Sequence, residues 1–165
     1  MDNEALQELI DNPASRQFWI VLWGYPEHSS DEDDQVFDQP TYDQGLARKP
    51  EAMRLGDIVF VHRIHISKII FVGEVIDEPR LSSPREAEKD DWRRRWKWGV
   101  GLKNLTPTYG RHWRQRGQKT FPLKDQYNAA NPDRRVSLGR LQHGLHTQIT
   151  PSFAKFLLNE IASIR

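Results

Sequence analysis

The stretch from residue 92 to residue 124 combines positive charge with aromatic rings. It contains ten Lys or Arg residues, no Asp or Glu, and four tryptophans, Trp92, Trp96, Trp98 and Trp113. Arginines interleaved with flat rings are typical of surfaces that contact phosphates and stack on bases. The predicted phosphate contacts are Arg63, Arg93, Arg94, Arg95, Arg111, Arg114 and Arg116.

The charge of the chain is strongly polarised, although its net value is only +1. Residues 1–91 carry 9 basic and 20 acidic side chains, a charge of −11, whereas residues 92–165 carry 15 basic and 3 acidic side chains, a charge of +12. This distribution predicts one positive and one negative face; the alternative is that the charges are solvated and pair across the fold. The acidic segment 27–43 could also dock a basic protein partner.

Three tryptophans could either fill the core or line a binding pocket. Trp23 ends a run of strand-forming residues just before Gly24, Tyr25 and Pro26, where a cleft often opens. Trp96 and Trp98 are two residues apart, which places them on one face if the segment is a strand. The alternative to core packing is a sandwich of rings around a flipped base.

Catalytic and metal-binding patterns are weak in this sequence. His62 and His65 are three residues apart, as are His143 and His146, but no acidic residue lies near the second pair. The chain has no cysteine, no nucleophile elbow and no glycine-rich phosphate loop, so we expect no catalytic residues, no metal and no cofactor. The alternative is a nuclease or another enzyme acting on RNA or DNA, with His62, His65 and His112 in acid–base roles.

Length and composition predict a single domain outside the membrane. A chain of 165 residues can bury a substantial core, and it has no apolar run long enough to span a bilayer. The absence of cysteine fits a reducing compartment, so we expect a cytoplasmic protein. The predicted division is a helical extension at residues 1–14 followed by one domain at residues 15–165.

Several elements can be predicted from the pattern of apolar residues. We expect strands at residues 17–23, 58–63 and 68–76, the first covered on both faces and the other two paired as an antiparallel hairpin. A fourth strand is expected over residues 96–105. A last helix should begin at Pro151, capped by Thr150.

The segments between these elements have weaker signals. Residues 4–11 are predicted to form a helix, and residues 46–54 a helix or helical turn with Ala52 and Met53 facing inward. Residues 27–45 are predicted to be an acidic loop, and residues 108–134 a basic loop with at most one short strand.

Four segments in order resemble EVE domains, members of the PUA-like superfamily. Residues 18–21 resemble their first strand, and residues 53–61 resemble their M-x-x-G-D-x-V-F-F segment. Residues 69–75 resemble the next strand, and residues 136–141 with 149–153 resemble the closing V-S-L-x-x-L and (I/V)-(T/S)-P pattern. The similarity covers about residues 15–165. The YTH readers of methylated RNA are relatives of EVE domains in the same superfamily. The related ASCH domains carry a Gly-x-Lys-x-x-Glu-x-Arg motif that this sequence lacks.

The resemblance implies an α+β fold with a strongly bent, barrel-like mixed β-sheet flanked by helices. It also implies a non-catalytic nucleic-acid-binding domain whose pocket takes a flipped, often methylated, base of DNA or RNA. The expected pocket residues are Trp23, Tyr25, Tyr42, Asp43, Trp96 and Trp98, with Asp43 contacting the base edge. The family's Lys-Ser-Glu-Pro after strand one is replaced here by residues 22–26.

Overall fold

The structure is a computed structural model that describes residues 1–23, 39–89, 91–107, 110–138 and 145–163, apart from the side chains of residues 91, 92, 110, 111 and 115. It has an α+β fold in which a strongly curled half-barrel sheet is flanked by helices, as the resemblance implies. None of the described helices has the length and apolar character needed to cross a membrane.

The elements alternate along the chain. The described helices are α1 (Asn3–Asp11), α2 (Pro84–Lys89), α3 (Asp91–Arg95), α4 (Gly110–Arg116), α5 (Thr120–Ala130) and α6 (Pro151–Ala162). The described strands are β1 (Phe18–Trp23), β2 (Thr41–Leu46), β3 (Ile58–Arg63), β4 (Lys68–Val75), β5 (Arg80–Leu81), β6 (Trp98–Asn104) and β7 (His146–Ile149). A short 3₁₀ helix spans Pro132–Arg134.

Six strands form the sheet in the order β2-β6-β4-β3-β1-β7, and the short β5 also pairs with β6. Strands β1 and β3 run parallel, whereas the other pairs are antiparallel. The hairpin of β3 and β4 is confirmed. The central position of β1 is also confirmed, because it lies between β3 and β7 and its first five residues are buried.

The sheet separates two apolar clusters. We call the first the helix-side core, where Phe18, Ile20 and Leu22 of β1 pack with residues of α1, α4, α5 and α6. We call the second the inner core, where Trp19 and Val21 of β1 pack with side chains from β2, β3, β4 and β6 and with Met53. Successive strand residues point to opposite faces, so the central strands β1, β3 and β4 contribute to both clusters.

Gly56 and Asp57 are the Gly-Asp pair of the M-x-x-G-D-x-V-F-F segment, and they hold β1 and β3 together. Gly56 turns the chain with φ +83°, a conformation that favours glycine. The Asp57 carboxylate then accepts hydrogen bonds from the backbone N–H of Gln17 at 3.0 Å and of Arg54 at 2.9 Å. It also accepts one from Nε1 of Trp19 at 2.9 Å. These contacts fix the start of β1 against β3.

Three sequence predictions about connections differ from the structure, wholly or in part. The expected loop at residues 27–45 includes most of β2. Of the helix or helical turn expected at residues 46–54, the structure has a turn at residues 51–52, with Met53 buried as expected but Ala52 exposed. The expected loop at residues 108–134 contains helices α4 and α5. Residues 24–38 lie outside the described part of the chain.

The terminal helices pack together. As predicted, α6 begins at Pro151, and the Thr150 hydroxyl accepts a hydrogen bond from the backbone N–H of Phe153 at 3.3 Å. Helix α1 contacts α6. Its residues Leu6 and Ile10 are buried in the helix-side core, so residues 1–14 contribute directly to the domain.

Candidate nucleic-acid interface

Three of the predicted pocket aromatics surround the inner core as partly buried rings. Trp23, Tyr42 and Trp98 all pack against this cluster without being fully enclosed by it. Tyr42 meets the ring of Phe71 edge-on, with ring centres 5.5 Å apart and an angle of 82°. The inner face of the curled sheet therefore presents aromatic surface that a flat ligand could stack on.

Trp23 and Arg63 are neighbours because β1 and β3 are parallel. The two residues pair in register at the carboxyl ends of their strands. The guanidinium carbon of Arg63 lies 5.3 Å from the centre of the Trp23 ring, a cation–π distance. Only 3% of Arg63 is exposed, so this arginine is placed to hold a ring and not to meet a phosphate in solvent.

Trp96 and Trp98 do not share a strand face as expected. Strand β6 begins at Trp98, so Trp96 lies in the connection that follows α3. Trp96 is 7% exposed and belongs to the buried residues. Trp98 is partly exposed, and the ammonium group of Lys49 lies 5.5 Å from its ring centre.

Asp43 lies on the opposite face of β2 from Tyr42. It pairs in register with Gly101 of β6, and its Oδ1 lies 3.2 Å from where a Cβ on Gly99 would be. The residues between and beyond those glycines, Val100 and Leu102, point into the inner core. Asp43 is therefore outside the curled sheet, away from the aromatic face that it was expected to serve.

Gln44, the next residue of β2 after Asp43, points to the inner face. Its side chain is fully buried, and its Nε2 donates to the carbonyl oxygen of Gly45 at 3.0 Å. Its Oε1 is buried and has no hydrogen-bond partner within the described ranges. Sequence reasoning missed Gln44, although its spacing of two from Tyr42 would have placed both on one face once β2 was known to be a strand.

The predicted phosphate contacts divide by exposure. Arg94, Arg95 and Arg116 are exposed, and Nε of Arg94 donates to the carbonyl oxygen of Ala87 at 2.9 Å. Arg114 is buried on α4. The positive surface expected from residues 92–124 is thus narrower than their charge count indicates.

Arg93 is held by acidic neighbours. Its side chain is only 14% exposed, and its Nη2 lies 2.9 Å from Oδ2 of Asp43. Its Nη1 lies 3.8 Å from Oε1 of Glu86. Tyr25, the side chain of Arg111 and residues 27–38 of the acidic segment lie outside the described residues.

No group of three His, Asp or Glu residues in the described part of the chain could hold a metal ion. The described histidines therefore form no metal site. His62 is buried with its ring centre 6.0 Å from that of Phe121. Burial lowers the pKa of His62 to about 4. Burial, followed by the charge of Arg48, also lowers the pKa of His146.

The curled sheet, its strand order and its flanking helices define a PUA-like fold of the EVE and YTH type. One similar structure is the human THYN1 protein, an EVE-domain protein, in complex with DNA that contains 5-methylcytosine. It is 16% identical with a TM-score of 0.59, over 90% of this chain and 99% of that one.

Two further solved structures share the fold. A hypothetical protein from Leishmania major is 16% identical with a TM-score of 0.54, over 90% of this chain and 96% of that one. The YTH domain of the Zygosaccharomyces rouxii MRB1 protein, in complex with N6-methyladenosine RNA, is 12% identical with a TM-score of 0.51, over 92% of this chain and 90% of that one. No family model and no curated protein matches the sequence.

Proposed function

We propose that this chain is a non-catalytic nucleic-acid-binding domain that recognises a modified base. The observation that carries the proposal is the shared fold with two proteins in complex with methylated DNA or methylated RNA. The partly exposed rings of Trp23, Tyr42 and Trp98 around the inner core support it, because stacking on such rings recognises bases.

Phosphate contacts and base contacts have separate roles in this proposal. The exposed arginines Arg94, Arg95 and Arg116 supply affinity that is common to all sequences and is weakened by salt. A flipped base inserts at the inner face, where Trp23 and Tyr42 stack on it and a methyl group gains contact with their rings. Tyr25 lies outside the described residues, and its place in this pocket stays a prediction from the sequence.

We assign recognition of the base edge to Gln44 instead of Asp43. A buried carbonyl oxygen without a partner is costly, and a ligand N–H that reaches it removes that cost. The exocyclic amino groups of 5-methylcytosine and N6-methyladenine both retain an N–H that can donate to Oε1. Guanine also has an exocyclic amino group, and thymine and uracil have a ring N–H, so Oε1 selects only for a base with a donor at its edge. The surrounding rings must distinguish between such bases.

Fluorescence anisotropy titrations test the proposal. Matched DNA and RNA oligonucleotides would carry cytosine, 5-methylcytosine, adenine or N6-methyladenine at one position. We expect one methylated form to bind more tightly than its plain counterpart. Equal affinities across all of these oligonucleotides would contradict base recognition.

A Gln44→Leu variant separates the role of Gln44 from the function as a whole. It should reduce the affinity for the preferred modified base by about 2- to 12-fold, the value of one neutral hydrogen bond. Gln148→Leu, which changes an exposed glutamine on β7, is the matched control and should have no effect. If methyl preference persists in Gln44→Leu at unchanged affinity, the domain still reads a base but Gln44 does not contact it.

A further inference from the structure

The bend that follows β2 carries two exposed cations that the sequence analysis did not single out. Arg48 and Lys49 are exposed, whereas Leu46 before them and Pro50 after them are buried. We call residues 47–49 the basic bend. Its two cations are presented to solvent from a backbone that is anchored by a buried residue on each side.

The register of the sheet places the basic bend beside Trp98. Leu46 pairs with Trp98 across β2 and β6, so the chain leaves β2 where β6 begins. The ammonium group of Lys49 lies 5.5 Å from the centre of the Trp98 ring. Trp98 is one of the partly buried rings around the inner core, so one cation of the basic bend lies directly at the proposed stacking surface.

The other cation, Arg48, lies near His146 of β7. The ring centre of His146 is 5.8 Å from that of Trp19, which places this histidine on the inner face. Burial lowers the pKa of His146, and the positive charge of Arg48 lowers it further. This effect requires Arg48 to be close, because solvent screens distant charges. Since β2 and β7 are the outermost strands, the basic bend lies where the two edges of the curled sheet approach each other.

Neither cation of the basic bend has an acidic partner in the described part of the chain. Glu51 is the nearest acid in sequence, yet within the described ranges no Asp or Glu forms an ion pair with Arg48 or Lys49. Arg80 shows the contrast, because its Nη1 lies 2.9 Å from Oε1 of Glu86. A cation that is already paired must give up its partner to bind an anion, whereas Arg48 and Lys49 need not.

The basic bend extends the positive surface that the proposed function already uses. The exposed arginines Arg94 and Arg95 end α3, and Trp98 follows three residues after Arg95. Lys49 lies beside the same ring to which the end of α3 leads. A nucleic-acid strand is a row of phosphates, so a row of cations on both sides of a stacking ring suits a strand better than a single small anion.

We propose that Arg48 and Lys49 bind the phosphates on one side of the flipped base, while the end of α3 binds those on the other. The inference rests on the proposed function and extends it, because it gives the strand a path from α3, past Trp98, to the basic bend. The guanidinium group of Arg48 can bind a phosphate through two parallel hydrogen bonds, and Lys49 contributes a point charge.

An acidic protein segment fits this surface less well. It would satisfy the two cations, but it has no flat group to stack on Trp98 beside them. Nucleic acid supplies both the negative charge and the flat groups, which matches a cation that lies 5.5 Å from an aromatic ring.

Salt titrations by fluorescence anisotropy test the inference with plain and methylated oligonucleotides. Arg48→Gln and Lys49→Gln should each lower the slope of log affinity against log salt by about 1, and the double variant should lower it by about 2. Plain and methylated oligonucleotides should lose affinity by the same factor, because both carry the same phosphates.

Two ion-paired cations away from the inner face are the matched controls. Arg80→Gln changes an arginine that pairs with Glu86 on the outer face, and Lys155→Gln changes a lysine of α6 that pairs with Asp11. Both variants should leave the salt slope unchanged.

The His146 ring provides a second readout, which a general loss of positive charge would not change. Among the described residues, Arg48 is the charged group that acts on this ring, and its ring partner Trp19 is uncharged. A phosphate held by Arg48 offsets the positive charge, so oligonucleotide binding should raise the pKa of His146, followed by the NMR signal of its ring Cε1–H. The rise should be smaller in Arg48→Gln.

The outcomes separate this inference from the proposed function. Unchanged salt slopes in the folded Arg48→Gln/Lys49→Gln variant would overturn the phosphate path, even if methyl preference persists and base recognition stands. Equal affinities for plain and methylated oligonucleotides, with slopes that still fall as expected, would contradict base recognition and support the path. Competition by an oligoglutamate peptide as strong as that by an oligonucleotide of equal charge would show that the basic bend is not selective for nucleic acid and would overturn the inference.

Discussion

Trp23 and Trp19 lie on the same face of the same strand, and we predict that they have opposite roles. Trp19 is 4% exposed and donates to Asp57, whereas Trp23 is partly exposed and stacks with Arg63. Trp19→Ala should lower the free energy of unfolding by ~3–5 kcal/mol, because it leaves a cavity in the inner core. Asp57 would keep its hydrogen bonds from Gln17 and Arg54, so no carboxylate is stranded.

Trp23→Ala should mainly affect binding. Loss of one stacked base costs ~1–3 kcal/mol, or about 5- to 150-fold in affinity for the preferred modified oligonucleotide. The fold should lose only about 2 kcal/mol, the value of a cation–π contact with a buried arginine. The plain oligonucleotide should lose less affinity, because its phosphate contacts are unchanged.

The assay combines urea melts with anisotropy titrations on both variants and the wild type. If the Trp19→Ala variant remains folded at low temperature, it should bind the oligonucleotide nearly as well as the wild type. The reasoning would be refuted if Trp23→Ala lost several kcal/mol of stability in parallel with its affinity. Trp23 would then be a core residue, and the inner face would lack its proposed stacking ring.

Two further predictions concern charge. Arg95→Gln should lower the slope of log affinity against log salt by about 1, because Arg95 is exposed. Arg63→Met should leave that slope unchanged, because Arg63 is buried. Equal slopes for both variants would contradict the division between phosphate and ring contacts. His62, whose pKa is lowered to about 4 from 6.5, should contribute stability that is fully present above pH 6.5 and is lost as the pH falls towards 4. Urea melts should show a loss approaching ~3 kcal/mol over this range, and His62→Phe, which remains packed on Phe121, should abolish that part of the dependence.

The sheet centre and the last helix could be predicted because their signals are local. Strands β1, β3 and β4 consist mainly of Val, Ile and aromatic residues, and Thr150 with Pro151 marks a helix start. Strand β2 reads TYDQGL, and its Asp and Gly disfavour strands. Its pairing with β6, far away in sequence, supplies what its own residues do not.

Helices α4 and α5 were missed for a different reason. The Gly and Pro residues in this basic stretch indicate breaks, but Pro122 lies in the first turn of α5, where the missing N–H costs nothing. The number of arginines in the segment likewise does not predict which of them are exposed. It identified a basic segment correctly, but only the fold determines that Arg63 and Arg114 are buried while Arg95 and Arg116 are exposed.

Strand β2 presents different chemistry on its two faces. Tyr42 packs against the inner core, whereas Asp43, the next residue, lies over Gly99 on the outside and pairs with Arg93. The strand period of two makes this separation unavoidable, since the backbone hydrogen bonds with β6 fix which residues point each way. An aromatic surface and a carboxylate can thus occupy opposite sides of one sheet layer, so phosphates need not approach Asp43 when a base enters the inner face.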